Sequence, residues 1–169
     1  MTATVTDAAG DALADSRVAQ PPDLVQASAD ASGGNITFLI KFASGTLDRL
    51  STRVSVLLDT DQNPAIGIAE PDGLGADYGI DLAAVTGQAT ITKADSVACQ
   101  ARLSCFTSIG SVPLTFVTDG LQVTVPLSML GNDDGRMNFQ VSAYVIVAAL
   151  TPVVFDYMPE NSAPPARVQ

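Results

Sequence analysis

An antiparallel two-sheet β-sandwich of jelly-roll type is the fold this sequence predicts, and three observations predict it. Short apolar runs alternate with polar residues, Ile36, Phe38, Ile40 and Phe42 being the clearest set. Clusters of Gly, Pro, Asn and Asp interrupt the chain at intervals of roughly 8–12 residues, as turns between short strands do. No stretch sustains a helical period, which leaves an all-β sandwich or jelly roll.

The elements follow in order. Thr6-Asp7-Ala8-Ala9-Gly10-Asp11 opens the chain with carboxylates either side of a glycine. An irregular linker runs from Ala12 to Gln20 and ends at Pro21-Pro22, whose fixed φ favours extended backbone. Residues 1–22 are therefore expected to be partly irregular, within one domain spanning residues 1–169. Asp23 to Ala31 predicts a strand, and Ser32-Gly33-Gly34-Asn35 is a hairpin signal. Ile36 to Phe42 answers it as the partner strand. Ser44 to Thr52 is a loop, and Arg53 to Leu58 a strand that turns fully apolar at its end.

That strand stops at the acidic loop Asp59-Thr60-Asp61-Gln62-Asn63-Pro64-Ala65-Ile66-Gly67. Pro64 to Ala76 is rich in Gly and Pro, with Glu70 and Asp72 as exposed candidate ligands. Asp77 to Leu82 alternates again, with Tyr78, Ile80 and Leu82 on one face. Gly87 turns the chain into Gln88–Lys93, and Val97 to Phe106 carries both cysteines. Leu114–Val117 and Leu121–Val125 flank Thr118-Asp119-Gly120 as a second hairpin. Pro126 to Gly131 reads as one helical turn, started by proline and stopped by glycine. Asn132-Asp133-Asp134-Gly135 is a plain turn. Met137 to Ala149 is a long strand with Phe139, Val141, Ala143, Val145 and Val147 inward. Val153-Val154-Phe155 adds a short last strand before Asp156-Tyr157-Met158-Pro159 and a Pro-rich tail over residues 160–169.

Composition limits the function. A chain of 169 residues with 47% hydrophobic side chains is long enough to bury about 70% of its unfolded surface. Only 15% of residues are charged, and the net charge is −10. Such a surface repels nucleic-acid phosphates and anionic lipid, so nucleic acid and membrane insertion are both excluded as expected partners. Divalent cations are its natural counterions. The chain has no histidine, so Ser-His-Asp, Cys-His and zinc–histidine chemistries are unavailable to it.

Cys99 and Cys105 enclose the five residues Gln100 to Ser104. In one continuous strand they would lie roughly 20 Å apart at about 3.3 Å per residue, so only a turn lets them bridge. A disulfide suits an exported protein; two free buried thiols are the other reading. No apolar run approaches a membrane span, and no signal peptide is present. Met1-Thr2-Ala3-Thr4 reads as a start just after a removed leader. The general character of the chain points to a secreted or periplasmic location.

Two acidic clusters are candidate cation sites. Asp59, Asp61 and Asn63 are spaced two apart at a strand end, where carboxylates need a cation or backbone N–H groups to compensate them. Asp77 is a further candidate ligand there. Asp59, Asp61, Asn63 and Glu70 also fall at positions one, three, five and twelve of an EF-hand loop. Position six is Pro64, however, where an EF-hand needs glycine, and the flanks are strand-like. The loop is thus either a calcium site of another kind or a turn whose Asx side chains cap its own amides. Asp7 and Asp11 form a second candidate, joined by Asp156 if the termini meet; the alternative is a surface Asx turn.

Seven short segments then stand in a recognisable order. They are Asp7-Ala8-Ala9-Gly10-Asp11, Asp23-Leu24-Val25-Gln26-Ala27-Ser28, Gly34-Asn35-Ile36-Thr37-Phe38 and Leu58-Asp59-Thr60-Asp61-Gln62-Asn63-Pro64, followed by Gly75-Ala76-Asp77-Tyr78, Val123 to Gly131, and Phe155-Asp156-Tyr157-Met158-Pro159. In this order the chain, from about Asp7 to Pro159, resembles the DOMON-like β-sandwich domains related to family 9 carbohydrate-binding modules of exported bacterial proteins. The resemblance implies a two-sheet jelly roll, often with structural Ca²⁺, that serves as a binding or accessory module. Ile66 stands where such loops carry threonine, and the chain has no tryptophan for a sugar-stacking platform.

The expected function is therefore a non-catalytic extracellular module, stabilised by calcium, that binds a glycan or protein ligand. One rival is a carbohydrate-binding module proper, using Tyr78 or Tyr144 as its aromatic surface. A second is a hydrolase working through paired carboxylates, but nothing in the sequence marks one as acid and another as base.

Overall fold

The computed structural model describes residues 1–71, 73–95, 99, 105–147, 151–160 and 163–169. The described residues include thirteen strands and two short 3-10 turns, and the fold is all-β as the alternation predicts. The strands are β1 Thr2–Thr6, β2 Leu24–Ser32, β3 Asn35–Phe42, β4 Thr52–Asp59, β5 Ile68–Ala69, β6 Gly75–Ala76 and β7 Tyr78–Ala83. They continue with β8 Gln88–Ala94, β9 Phe106–Val117, β10 Gly120–Pro126, β11 Asn138–Val147, β12 Thr151–Met158 and β13 Ala166–Arg167.

Eleven of these strands form one antiparallel sheet in the order β1-β2-β3-β10-β9-β8-β7-β4-β11-β12, with β13 added on β11. The sequence predicts two separate packed sheets. Among the described residues the ladder is continuous from one half to the other, β9 being long enough to serve both. Its Leu114–Val117 end pairs with β10, and its Phe106–Pro113 end pairs with β8. The sheet curls into a nearly closed barrel. Its remaining seam lies between the β1–β2 edge and β12, which come close without a ladder.

Alternation decides what faces inward. Ile36, Phe38, Ile40 and Phe42 of β3 and Phe139, Val141, Ala143 and Val145 of β11 are all buried. Phe38 and Phe139 meet edge to face across the interior, with ring centroids 5.6 Å apart. Val147 closes β11 only half-buried, and the predicted continuation to Ala149 lies outside the described residues.

Both ends of the chain hold more structure than their composition suggests. Thr2-Ala3-Thr4-Val5-Thr6 is a β-branched, alternating stretch, and it pairs with β2 from Thr2↔Asp30 to Thr6↔Gln26. Ala166–Arg167, within the expected tail, pairs with Phe139 and Asn138. The strand expected at Val153–Phe155 spans Thr151–Met158 and is followed by β13. The Leu127–Leu130 3-10 turn ends at Gly131 with φ 77°, the glycine stop expected there. Among the described residues no helix is long and apolar enough to cross a membrane.

Cys99 and Cys105 are joined by a disulfide, with Cα atoms 4.1 Å apart. The residues they enclose, and Asp72, lie outside the described residues.

Candidate metal centre

Asp59 ends β4 with no solvent exposure. It is flanked in register by Asn138 of β11, while Leu58 beside it pairs with Tyr78 of β7. Its two oxygens are held from opposite directions. Oδ1 accepts the Asn63 N–H at 3.0 Å, and Oδ2 accepts the Asn138 Nδ2–H at 3.0 Å. Asn138 in turn accepts from Arg167 Nε at 3.2 Å. Burial pushes the Asp59 carboxyl above its ordinary pKa. The Asn138 and Asn63 hydrogen bonds pull against that, while Asp61 and Asp77 add to the rise.

The loop behind it caps itself. Asp61 Oδ1 accepts the Asn63 N–H at 2.9 Å, and Asn63 Oδ1 accepts the Ala65 N–H at 3.2 Å. Asp77 Oδ2 accepts from the Thr60 N–H at 2.9 Å and the Thr60 hydroxyl at 3.0 Å. The β5–β6 ladder pins the base of the loop, where a Cβ on Gly75 would run into the Ile66 carbonyl oxygen. Both readings of this loop thus meet at one corner. The Asx capping network is present, and carboxylate oxygens of Asp59, Asp61 and Asp77 still lie within 4.8 Å of one another. Asn63 contributes its backbone N–H to that network, donating to both Asp59 and Asp61.

The second corner sits on the seam. Asp7 follows β1, Asp11 lies in the loop after it, and Asp156 belongs to β12. Their carboxylate oxygens also converge within 4.8 Å, although Asp156 is more than a hundred residues away in sequence. A β-bulge makes this possible. Ala143 pairs with Asp156 but Tyr144 pairs with Val154, so Phe155 is the extra residue. Asp156 consequently stands opposite the core residue Ala143, on the inner side of the sheet, and is 6% exposed.

Asp156 is not bare. Oδ2 accepts the Leu24 N–H across the seam at 2.6 Å, and Oδ1 accepts the Tyr157 N–H at 2.8 Å. Burial nonetheless pushes its carboxyl up to about 7; the Leu24 and Tyr157 hydrogen bonds oppose the shift, and the charges of Asp11 and Asp7 add to it. Glu160 is exposed beside Asp7 and is raised as well, by desolvation first and then by Asp7 and Asp11. Carboxylates crowded in this way are poised for a hard cation with oxygen ligands.

Two participants escape sequence reading. Asn138 reaches Asp59 only through the β4–β11 register, and no local pattern announces it. Asp23 immediately precedes β2, is 5% exposed, and accepts the Gly10 N–H at 2.7 Å through Oδ2. Its sequence position at the head of a strand is the one available clue. Asp133 and Asp134 are the expected turn residues, capping the Gly135 and Arg136 N–H groups.

The two tyrosines offer little open ring surface. Tyr78 is 7% exposed, packed below Lys93, whose Nζ lies 5.8 Å from the ring centroid. Tyr144 is half-buried and donates its hydroxyl to Asp81 Oδ1 at 2.8 Å. Burial, then the Asp81 charge, hold its phenol well above the usual range.

Protein-family models match no part of the chain, and no curated protein matches it significantly.

Proposed function

We propose that this chain is a non-catalytic, calcium-stabilised β-domain of an exported protein, working as a binding or accessory module. The observation that carries the reading is the convergence of Asp7, Asp11 and Asp156 from the two ends of the chain, with Asp156 on the buried side of the sheet. The disulfide supports an oxidising compartment. The shared order of short motifs supports kinship with DOMON-like, family 9 carbohydrate-binding-module-like domains and their two-sheet jelly roll. Catalysis is not part of the reading, because nothing in the chain marks one carboxylate as acid and another as base. Calorimetric titration with Ca²⁺ tests it directly. Heat of binding saturating at micromolar to millimolar Ca²⁺ is the expected result, and a flat titration would remove calcium from the account.

Carbohydrate binding is the second reading, and one surface favours it. Ser55, Asp81, Thr92 and Phe106 line a recess on the outer face of β4, β7 and β8 and the start of β9. Hydrogen-bonding groups beside an aromatic side chain suit a sugar ring. A glycan array decides it: selective binding that fails in Asp81→Ala supports this surface, and an array without hits leaves a protein ligand.

A further inference from the structure

We propose that Asp23 joins Asp7, Asp11 and Asp156 around one Ca²⁺, and that this ion latches the open seam of the barrel. The inference rests on the calcium reading above, and adds a ligand and a structural purpose to it.

Two buried oxygens at this corner have no hydrogen-bond partner: Oδ1 of Asp23 and Oδ2 of Asp7. They belong to one small region. Gly10, which donates to Asp23, lies between Asp7 and Asp11, and the Asp7 N–H donates to the Val25 carbonyl at 3.1 Å. The next amide along, that of Leu24, donates to Asp156. Asp23 thus hydrogen-bonds to the loop that carries two of the other carboxylates, and its neighbour Leu24 holds the third. None of these four carboxylates pairs with Lys or Arg among the described residues. Burying a carboxylate oxygen without a partner is unfavourable, and a hard cation removes that cost.

The donor set selects the ion. All four side chains offer oxygen, and they come from the loop after β1, the residue before β2, and β12. Ca²⁺ accepts 6–8 oxygens in adaptable geometry, whereas Mg²⁺ demands a near-ideal octahedron and keeps its waters. Zinc prefers nitrogen and sulfur, but the chain has no histidine and its two cysteines are bonded to each other.

Position gives the ion its purpose. Asp7 follows β1, Asp23 precedes β2 and Asp156 lies on β12, so the four carboxylates straddle the gap the ladder leaves. Only isolated hydrogen bonds cross there, such as Leu13 N–H to the Phe155 carbonyl at 2.7 Å. An ion held from both edges replaces the missing ladder.

The test combines Ca²⁺ calorimetry with hydrogen exchange. Ca²⁺ should slow exchange of the Leu13 and Leu24 amides in the wild-type protein at least tenfold relative to EDTA. Asp23→Asn should weaken Ca²⁺ binding about tenfold or more, and Asp134→Asn, at an exposed turn, should leave this protection unchanged. If Asp23→Asn binds Ca²⁺ as the wild type does while Asp156→Asn does not, Asp23 is no ligand and the broader calcium reading survives. If Asp23→Asn fails to fold, the wild-type exchange result alone decides, and seam amides indifferent to Ca²⁺ overturn the latch. Absence of any Ca²⁺ binding overturns both readings.

Discussion

Burial raises the Asp156 carboxyl at the seam, and its titration has a definite sign. Its folded-state pKa of about 7 stands above the 3.8 of an unperturbed Asp. Between those two values the folded protein holds a proton that the unfolded chain has released, so stability falls as pH rises. Asp59, Asp133 and Glu160 are raised as well, while Asp15 and Asp48, both near the surface, are lowered. In EDTA the melting temperature should therefore decline from pH 4 to pH 7, and Asp156→Asn should flatten the decline. A metal-free melting temperature that climbs over that range would contradict this assignment. Asn138 gives a second prediction at this scale. Its amide is the donor to a fully buried Asp59 oxygen, so Asn138→Ala should cost about 1.5–3 kcal/mol in denaturant unfolding.

At the scale of elements, local pattern carried most of the information. The β2–β3 and β9–β10 hairpins are marked by Gly33-Gly34 and Asp119-Gly120, whose turn residues take positive φ at 58°, 76° and 48° for Gly33, Gly34 and Asp119. Asp7, Asp11, Asp59 and Asp61 were legible as candidate ligands because their spacing is local. Asp23 and Asn138 were not, because their roles depend on which strand lies beside them. The bulge at Phe155 was equally hidden, yet it is what turns Asp156 inward. β1 was missed for another reason: Thr2–Thr6 is short and small-sided, and its strand is fixed by pairing with β2. The disulfide is a local element too, closing a loop with a sequence separation of 6. A loop that short restricts the unfolded chain modestly, so reduction should lower unfolding stability by about 2 kcal/mol. A fall of 5 kcal/mol or more would mean the bridge holds more than its own turn.

For the whole molecule, the seam between the β1–β2 edge and β12 is where the sheet stops closing itself. Exposed edges invite pairing with other chains, and proteins commonly cover or charge them. Here one end of the gap is lined with carboxylates, and a cation there converts mutual repulsion into a tie between the two termini. The net charge of −10 would then serve a structural purpose. Because a ligand bound only to the folded state must raise stability, thermal unfolding at neutral pH in excess Ca²⁺ against EDTA reads the central claim. A melting temperature that rises with Ca²⁺ concentration, and does not rise with equal Mg²⁺, is the expected result. Identical melting curves in Ca²⁺ and EDTA would contradict it.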